Sequence, residues 1–312
     1  MTEKLNLINS AEVLNDIAET LRFRATIFFR SQLAAPWGIA LSDMAWPRFH
    51  ISLGGSFFAN IENRKNADPL AIGERGVVML PAGGSHWIAD APGRRLVSDT
   101  EAGEACQLNK PLFQAGEITH SVMCGIVKFD TNASHPLLHC LPEIIHIPEV
   151  PRESRAWRLI EMIDDELNEN WPLANATVDR LTEVLFITLL HEFIETHQEA
   201  VGFILALRDR RLNHIIQLIH RNLAEPWTIE GLAKQVGMSR ATLIRQFQEA
   251  IGSTPIEYLT QWRLLRAHYL IKHTYDSIEA IAAQVGYASA QTLSKSFKKR
   301  YGHPPAELRK AM

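Results

Sequence analysis

A chain of 312 residues, 46% hydrophobic and 21% charged, is long enough for about two domains. Its composition is that of an ordinary globular protein, which excludes a disordered or fibrous class. The net charge of −3 hides a division. Residues 208–312 carry 16 Lys and Arg against 8 Asp and Glu, a balance of +8, and residues 1–207 carry 16 against 27, a balance of −11. A polyanionic partner is therefore expected at the C-terminal end alone.

The first residues, MTEKLNLINSAEVLNDIAETL, are acidic and amphipathic and lack the basic region and apolar core of a signal peptide. The longest apolar run, VLFITLL at 184–190, is too short to span a bilayer. Three cysteines, Cys106, Cys124 and Cys140, make neither an even framework nor a metal-ligand spacing and fit a reducing compartment. A soluble, cytoplasmic protein without membrane attachment is expected.

Residues 22–140 break into short apolar or alternating runs, among them RFRATIFF, RFHISLGG, SFFANI, GVVMLPAG and HSVMCGIVKF. Gly, Pro and Asn-Asp clusters separate them, the pattern of a sandwich or barrel of short strands. His50 and His86 are placed to sit on neighbouring strands. Histidines converging inside a barrel could hold iron, manganese or zinc, but two ligands make a poor site, and no metal or other cofactor is expected. Trp37, His50, His86 and Trp87 are the candidate residues of an effector pocket, read against the alternative that they fill the core. Cys124 lies in an apolar strand and reads as a small buried hydrophobe. Cys106 reads as part of a polar loop with no neighbouring cation to favour the thiolate.

Two helical stretches follow, SRAWRLIEMIDDELNEN and ATVDRLTEVLFITLLHEFIETHQ. Val178, Leu181, Leu185, Leu189 and Phe193 share one face of the second. That face either packs on the preceding domain or joins two copies of the chain.

Beyond residue 206 the chain says one thing twice. IEGLAKQVGMSRATLIRQFQEAIGSTPIEYL at 229–259 is echoed by IEAIAAQVGYASAQTLSKSFKKRYGHPPAEL at 278–308. Two copies are too few for a solenoid, so a duplicated functional unit is the better reading. In each, an N-cap (Thr228, Ser277) opens a short helix, a glycine (Gly237, Gly286) stops it, and a serine (Ser239, Ser289) caps a second helix. Leu243 and Phe247 point inward in the first copy, leaving Arg240, Ala241, Ile244, Arg245 and Gln248 outside. Leu293 and Phe297 do so in the second, leaving Ala290, Gln291, Ser294, Lys295 and Lys298 outside. This is a helix-turn-helix whose outer face carries side chains able to pair with base edges. The helix from Pro255 to about His273 would span about 28 Å. That approaches the ~34 Å between successive major-groove entries on one DNA face.

The pattern Ala-x-x-x-Gly-Met-Ser, Leu-x-Arg-x-Phe, Gly-x-x-Pro and Arg263-Leu264-x-x-Ala267, with Phe297-Lys298-Lys299, Gly302 and Pro305 in the second half, resembles the AraC/XylS family of bacterial transcription regulators. Two positions depart from it: Leu293 stands where an aromatic is commoner, and Lys295 where Arg is. The resemblance implies that Arg240, Ala241, Ile244 and Arg245 face bases in one half and Ala290, Gln291, Thr292 and Lys295 in the other. Residues 20–147, with Pro81-x-Gly83-x-x-His86-x-x-x-Asp90, resemble the cupin-type sensor domain of some such regulators.

The expected architecture is multi-domain α+β: a cupin-like β-barrel at 1–150 that senses an effector, a helical connector at 151–205 that can serve dimerisation, and an all-α DNA-binding domain at 206–312. The expected function is a sequence-specific transcription regulator, not an enzyme and with no catalytic residues. Its partners would be double-stranded DNA, an unknown small-molecule effector, RNA polymerase and a second copy in a homodimer. The alternatives are a cupin metalloenzyme fused to a DNA-binding domain, a thiol-based redox-sensing regulator, and an adaptor that binds no DNA.

Overall fold

A computed structural model describes residues 13, 16–17, 19–20, 23–44, 46–61, 68–107, 112–129, 141–169, 173–196 and 202–310. Cys140, His135 and His139 lie outside them. The chain divides into two compact units. One comprises 23–128 with 143–198, and the other 199–312 with 1–22 and 129–142.

The first unit is β-rich, as expected. Its strands are β1 (Phe23–Leu33), β2 (Gly38–Leu41), β3 (Arg48–Gly54), β4 (Phe57–Ile61), β5 (Leu70–Ile72), β6 (Val77–Leu80), β7 (His86–Ala89), β8 (Val97–Ser98), β9 (His120–Phe129) and β10 (Ile145–Ile147). They form two five-stranded sheets, ordered β1-β9-β3-β6-β10 and β5-β4-β7-β2-β8. Side chains of both sheets share one core, including Phe29, Leu33, Trp37, Phe57, Ile72, Val78, Ile88 and Cys124. β3 pairs antiparallel with β9, setting Phe49 opposite Gly125 and His50 opposite Cys124. The Phe49 ring lies over Gly125 so closely that a Cβ there would enter the ring.

The stretch containing Cys106 is a helix, α1 (Asp99–Gln107), and not the polar loop read from composition. Its start is encoded by Ser98, whose Oγ accepts the Glu101 backbone N–H at 3.1 Å, and by Asp99 and Glu101 at the positive end of the helix dipole. Ser98-Asp99-Thr100-Glu101 is a capping-box pattern within a segment whose polarity suggested a loop.

Helices α2 (Arg155–Asn168) and α3 (Ala174–Thr196) belong to the same unit. Ser154 caps α2 by accepting the Trp157 N–H. Arg30 of β1 grips Asp164 of α2 at 2.7 Å, and Phe23 meets Phe186 edge to face at 5.2 Å. Val178, Leu185, Leu189 and Phe193 are buried, so the apolar face of α3 read from the sequence packs within its own chain. Another face of α3 exposes Val184 and Ile187, and α2 exposes Met162.

The second unit is all-helical: α4 (Phe203–Arg208), α5 (Arg210–Arg221), α6 (Ile229–Gln235), α7 (Arg240–Ile251), α8 (Pro255–His273), α9 (Ile278–Gln284), α10 (Ala290–Tyr301) and α11 (Pro305–Lys310). Thr228, Ser239, Ser277 and Ser289 cap α6, α7, α9 and α10 through their side chains. Gly237 and Gly286 hold positive φ of 63° and 78°. At Gly286 a side chain would also meet the Arg263 guanidinium, which donates to the Leu223 and Glu225 carbonyls and ties α8 to the end of α5. A capping box between Thr254 and Glu257, with Pro255 at the first position, starts α8.

Described residues near the start of the chain join this unit. Val13 and Ile17 are buried. Asp16 lies 2.7 Å from His220 Nδ1, whose Nε2 is 2.8 Å from the Tyr258 hydroxyl. Arg266 donates to the Thr20 hydroxyl at 3.0 Å.

His268, 5% exposed, stacks on Phe297 at 6.0 Å. Burial first, then the Lys272 charge, lowers its pKa to about 4. Between about 4 and 6.5 the unfolded chain therefore binds a proton that the native one does not. Native stability is full above that window and falls as pH drops through it, by at most roughly 3 kcal/mol. Chemical denaturation of the full chain at several pH values should show this loss, and His268→Phe should flatten it.

Candidate nucleic-acid interface

α6 with α7, and α9 with α10, are the two helix-turn-helix units. Leu243 and Phe247 anchor α7, and Leu293 and Phe297 anchor α10, all fully buried. An α-helix with two buried residues four apart must turn the remaining arc outward. On α7 that arc holds Arg240, Ala241, Arg245 and Gln248, which are exposed, and Ile244, which is half-buried. On α10 it holds Gln291, Thr292, Lys295 and Lys298, exposed, and Ala290, half-buried. The Thr292 hydroxyl lies 3.0 Å from the capping Ser289 hydroxyl, so it is partly engaged at the helix start.

The two outer faces differ in charge. Arg240 pairs with Glu230 of α6 at 2.9 Å, and Arg245 pairs with Glu249 one turn on at 3.0 Å. These pairs are more than half exposed, so each adds little to stability. Each pairs a guanidinium with a carboxylate on the outer surface of its helix-turn-helix unit. On α10, Lys295, Lys298, Lys299 and Arg300 crowd one helix, and Lys295 and Lys298 have no ion pair among the described residues. Arginine forks suit bidentate guanine contacts, and flexible ammonium groups suit phosphate. Glu230 and Glu249 were missed in the sequence. The second is visible as an i,i+4 pair, whereas the first needs the turn to bring α6 against α7.

The candidate effector residues are scattered. His50 and His86 touch, Nε2 to Nε2, at 2.8 Å in the core. Burial, then His86 and Arg48, push the His50 pKa well below its ordinary value, so the ring is neutral. Trp37 is buried against Phe57 and His120. Its indole N–H finds no hydrogen-bond partner among the described residues. Trp87 alternates with His86 and Ile88 along β7 and so belongs to the other face of its strand. Cys124 Sγ lies 2.9 Å from His50 Nδ1. Because His50 stands between Cys124 and His86, these three donors do not converge on one point. No group of three or more His, Cys, Asp or Glu among the described residues is arranged to hold a metal.

A β-rich domain joined to a helical domain that presents two polar recognition helices defines a two-domain DNA-binding regulator. The family model described as Cupin matches residues 12–195, and one described as Helix-turn-helix domain matches residues 232–311. A Haemophilus influenzae protein described as an uncharacterized HTH-type transcriptional regulator is 28% identical over 96% of this chain and 99% of its own length. A putative AraC-like transcription regulator from Streptomyces lividans is 33% identical over 60% of this chain and 62% of its own. The solved DNA-binding domain of AdpA, in complex with a target DNA, is 30% identical over 32% of this chain and 89% of that chain, with a TM-score of 0.31. The chain belongs to the cupin family through its first domain, and with its C-terminal helix-turn-helix domain it is an AraC-family DNA-binding transcription regulator.

Proposed function

We propose that this regulator reads two adjacent major-groove segments of one double-stranded DNA site, with α7 and α10 as the recognition helices, under control of a small effector taken up by the cupin domain. The observation that carries this is the matched pair of outward polar faces, each fixed by two buried anchors, on either side of the 19-residue helix α8. Basic groups supply salt-dependent phosphate attraction, and the outer rows of α7 and α10 supply base choice. The Trp37 indole N–H, buried and without a hydrogen-bond partner among the described residues, supports effector binding, since a buried donor favours a ligand that offers an acceptor. The protein acts in the cytoplasm by binding rather than catalysis, in contact with RNA polymerase. No helix among the described residues is long and apolar enough to cross a membrane. Selection of genomic fragments by the full-length protein at near-physiological salt should recover sites with two short elements about one helical turn apart. Enrichment of no sequence would overturn the reading.

The regulator acts as a homodimer through α2 and α3. Met162, Val184 and Ile187 are exposed on the two helices, whose Trp157, Ile160, Ile163, Val178, Leu185 and Leu189 are buried. A double substitution, Val184→Glu with Ile187→Glu, should halve the particle mass seen in sedimentation while leaving the helix content intact.

A further inference from the structure

The cupin core holds a connected chain of ionisable groups that DNA reading does not use. Cys124 and His50 face each other across β9 and β3, with Sγ 2.9 Å from Nδ1. His50 Nε2 meets His86 Nε2 of the other sheet at 2.8 Å, and His86 Nδ1 lies 2.9 Å from the Gly84 carbonyl. Their exposures are 1%, 0% and 1% in the order Cys124, His50, His86. Proton positions follow by elimination. The carbonyl can only accept, so His86 Nδ1 donates to it. The Nε2 of a neutral His86 then accepts from His50 Nε2–H, and His50 Nδ1 remains to accept the Cys124 S–H. A thiol in a dry core is ordinarily inert, because nothing stabilises its thiolate or takes its proton. Here a neutral imidazole stands 2.9 Å from the sulfur; burial disfavours a lasting imidazolium, so it can only hold the proton in passage to the departing oxygen as the S–O bond forms, with a second imidazole behind it.

Cys124 also lines a cavity with Phe28, Phe29, Leu41, Ile88 and Ala102. Its volume is about 20 Å³, room for about one water-sized molecule. A sugar or an aromatic effector does not fit without a large rearrangement; hydrogen peroxide, one oxygen larger than water, demands the smallest one.

We propose that Cys124 is a peroxide-reactive thiol, with His50 as its base and hydrogen peroxide as its oxidant. His50 Nδ1 takes the thiol proton, and the sulfur attacks one peroxide oxygen. The S–O bond forms as the O–O bond breaks, and the departing hydroxide receives the proton from His50 and leaves as water. Cys124 is oxidised by two electrons to the sulfenic acid, and the peroxide is reduced. The added oxygen must fit in a closely packed core beside His50, where extra volume forces side chains or backbone to shift. The link from this chemistry to transcription rests on the reading of the cupin domain as the sensor.

The test uses full-length protein with Cys106→Ser and Cys140→Ser, so that Cys124 is the sole thiol. Hydrogen peroxide or a bulky maleimide is added to the native protein, and peptide mass is read after quenching. The expected result is a gain of about 16 Da at Cys124 with peroxide, no maleimide adduct, and at least a tenfold slower gain in His50→Gln. Absence of the gain until the protein is unfolded would overturn the proposal, as would equal access for both reagents, a comparison that does not depend on the variant folding. An unchanged rate in a folded His50→Gln protein would remove His50 as the base. DNA affinity is then compared before and after oxidation. Unchanged affinity overturns the sensing role, whereas failure of the reduced protein to bind DNA counts against the DNA-reading function and leaves the peroxide rate to stand on its own.

Discussion

Replacing Arg240 and Arg245 together by alanine is expected to lower affinity for the selected DNA site by about 30-fold to 10⁴-fold, from about 1–3 kcal/mol for each lost base contact. Both side chains are exposed, and their partners Glu230 and Glu249 are exposed acids. Their removal leaves no buried charge stranded, and the melting temperature should hold within a few degrees. The matching change on the other helix, Lys295→Ala with Lys298→Ala, should act differently. Affinity should fall nearly uniformly across sequences, with a salt slope shallower by about 2. Fluorescence anisotropy on the selected site and on a scrambled duplex, at two salt concentrations, separates the two behaviours. If the arginine variant kept its preference for the selected site and lost only salt dependence, base reading would not lie on α7.

The second large effect is expected in the cupin domain. Gly125→Val should destabilise that domain by about 3 kcal/mol or more, at the upper end of what overpacking costs. The new Cβ would enter the Phe49 ring, which is itself fully buried, and β3 and β9 are hydrogen-bonded on either side of the clash. Neither strand can retreat without breaking its ladder. Chemical denaturation followed by far-UV circular dichroism at a β-sheet wavelength should register the loss. Phe49→Leu in the same chain should recover part of it, because the two changes act on one volume. Simple loss of glycine flexibility predicts no such recovery.

Much of the reader was legible from local chemistry. Thr228, Ser239, Ser277 and Ser289 are caps by residue type and position, and each caps its helix. The pattern of Leu243, Phe247, Leu293 and Phe297 fixes which way each recognition helix turns. These signals act over three or four residues, so a sequence displays them directly. The contact between His50 and Cys124 joins positions 74 residues apart. It depends on the register of β3 against β9, which no local pattern states. His86 comes from the other sheet, and its approach to His50 depends on how two sheets pack. The same limit explains why the apolar face of α3 left two readings open: a stripe of Val178, Leu185 and Leu189 announces that something covers it, and only the fold says that the cover is the chain itself. The polarity around Cys106 reads as a loop, whereas the short Ser98-to-Glu101 cap starts a helix there.

The ties of Asp16 to His220 and of Thr20 to Arg266 have a kinetic meaning. They span 204 and 246 positions, so in a chain made from its N-terminus the segment around Val13 and Ile17 emerges long before the helices that cover it. Closing such a long loop adds an entropic barrier that helical contacts within the reader do not face. The reader's own helices should therefore form quickly, with the docking of the segment around Val13 and Ile17 as a late and slower step. Refolding experiments should show a second phase that disappears when residues 1–22 are removed, while the fast phase keeps its rate.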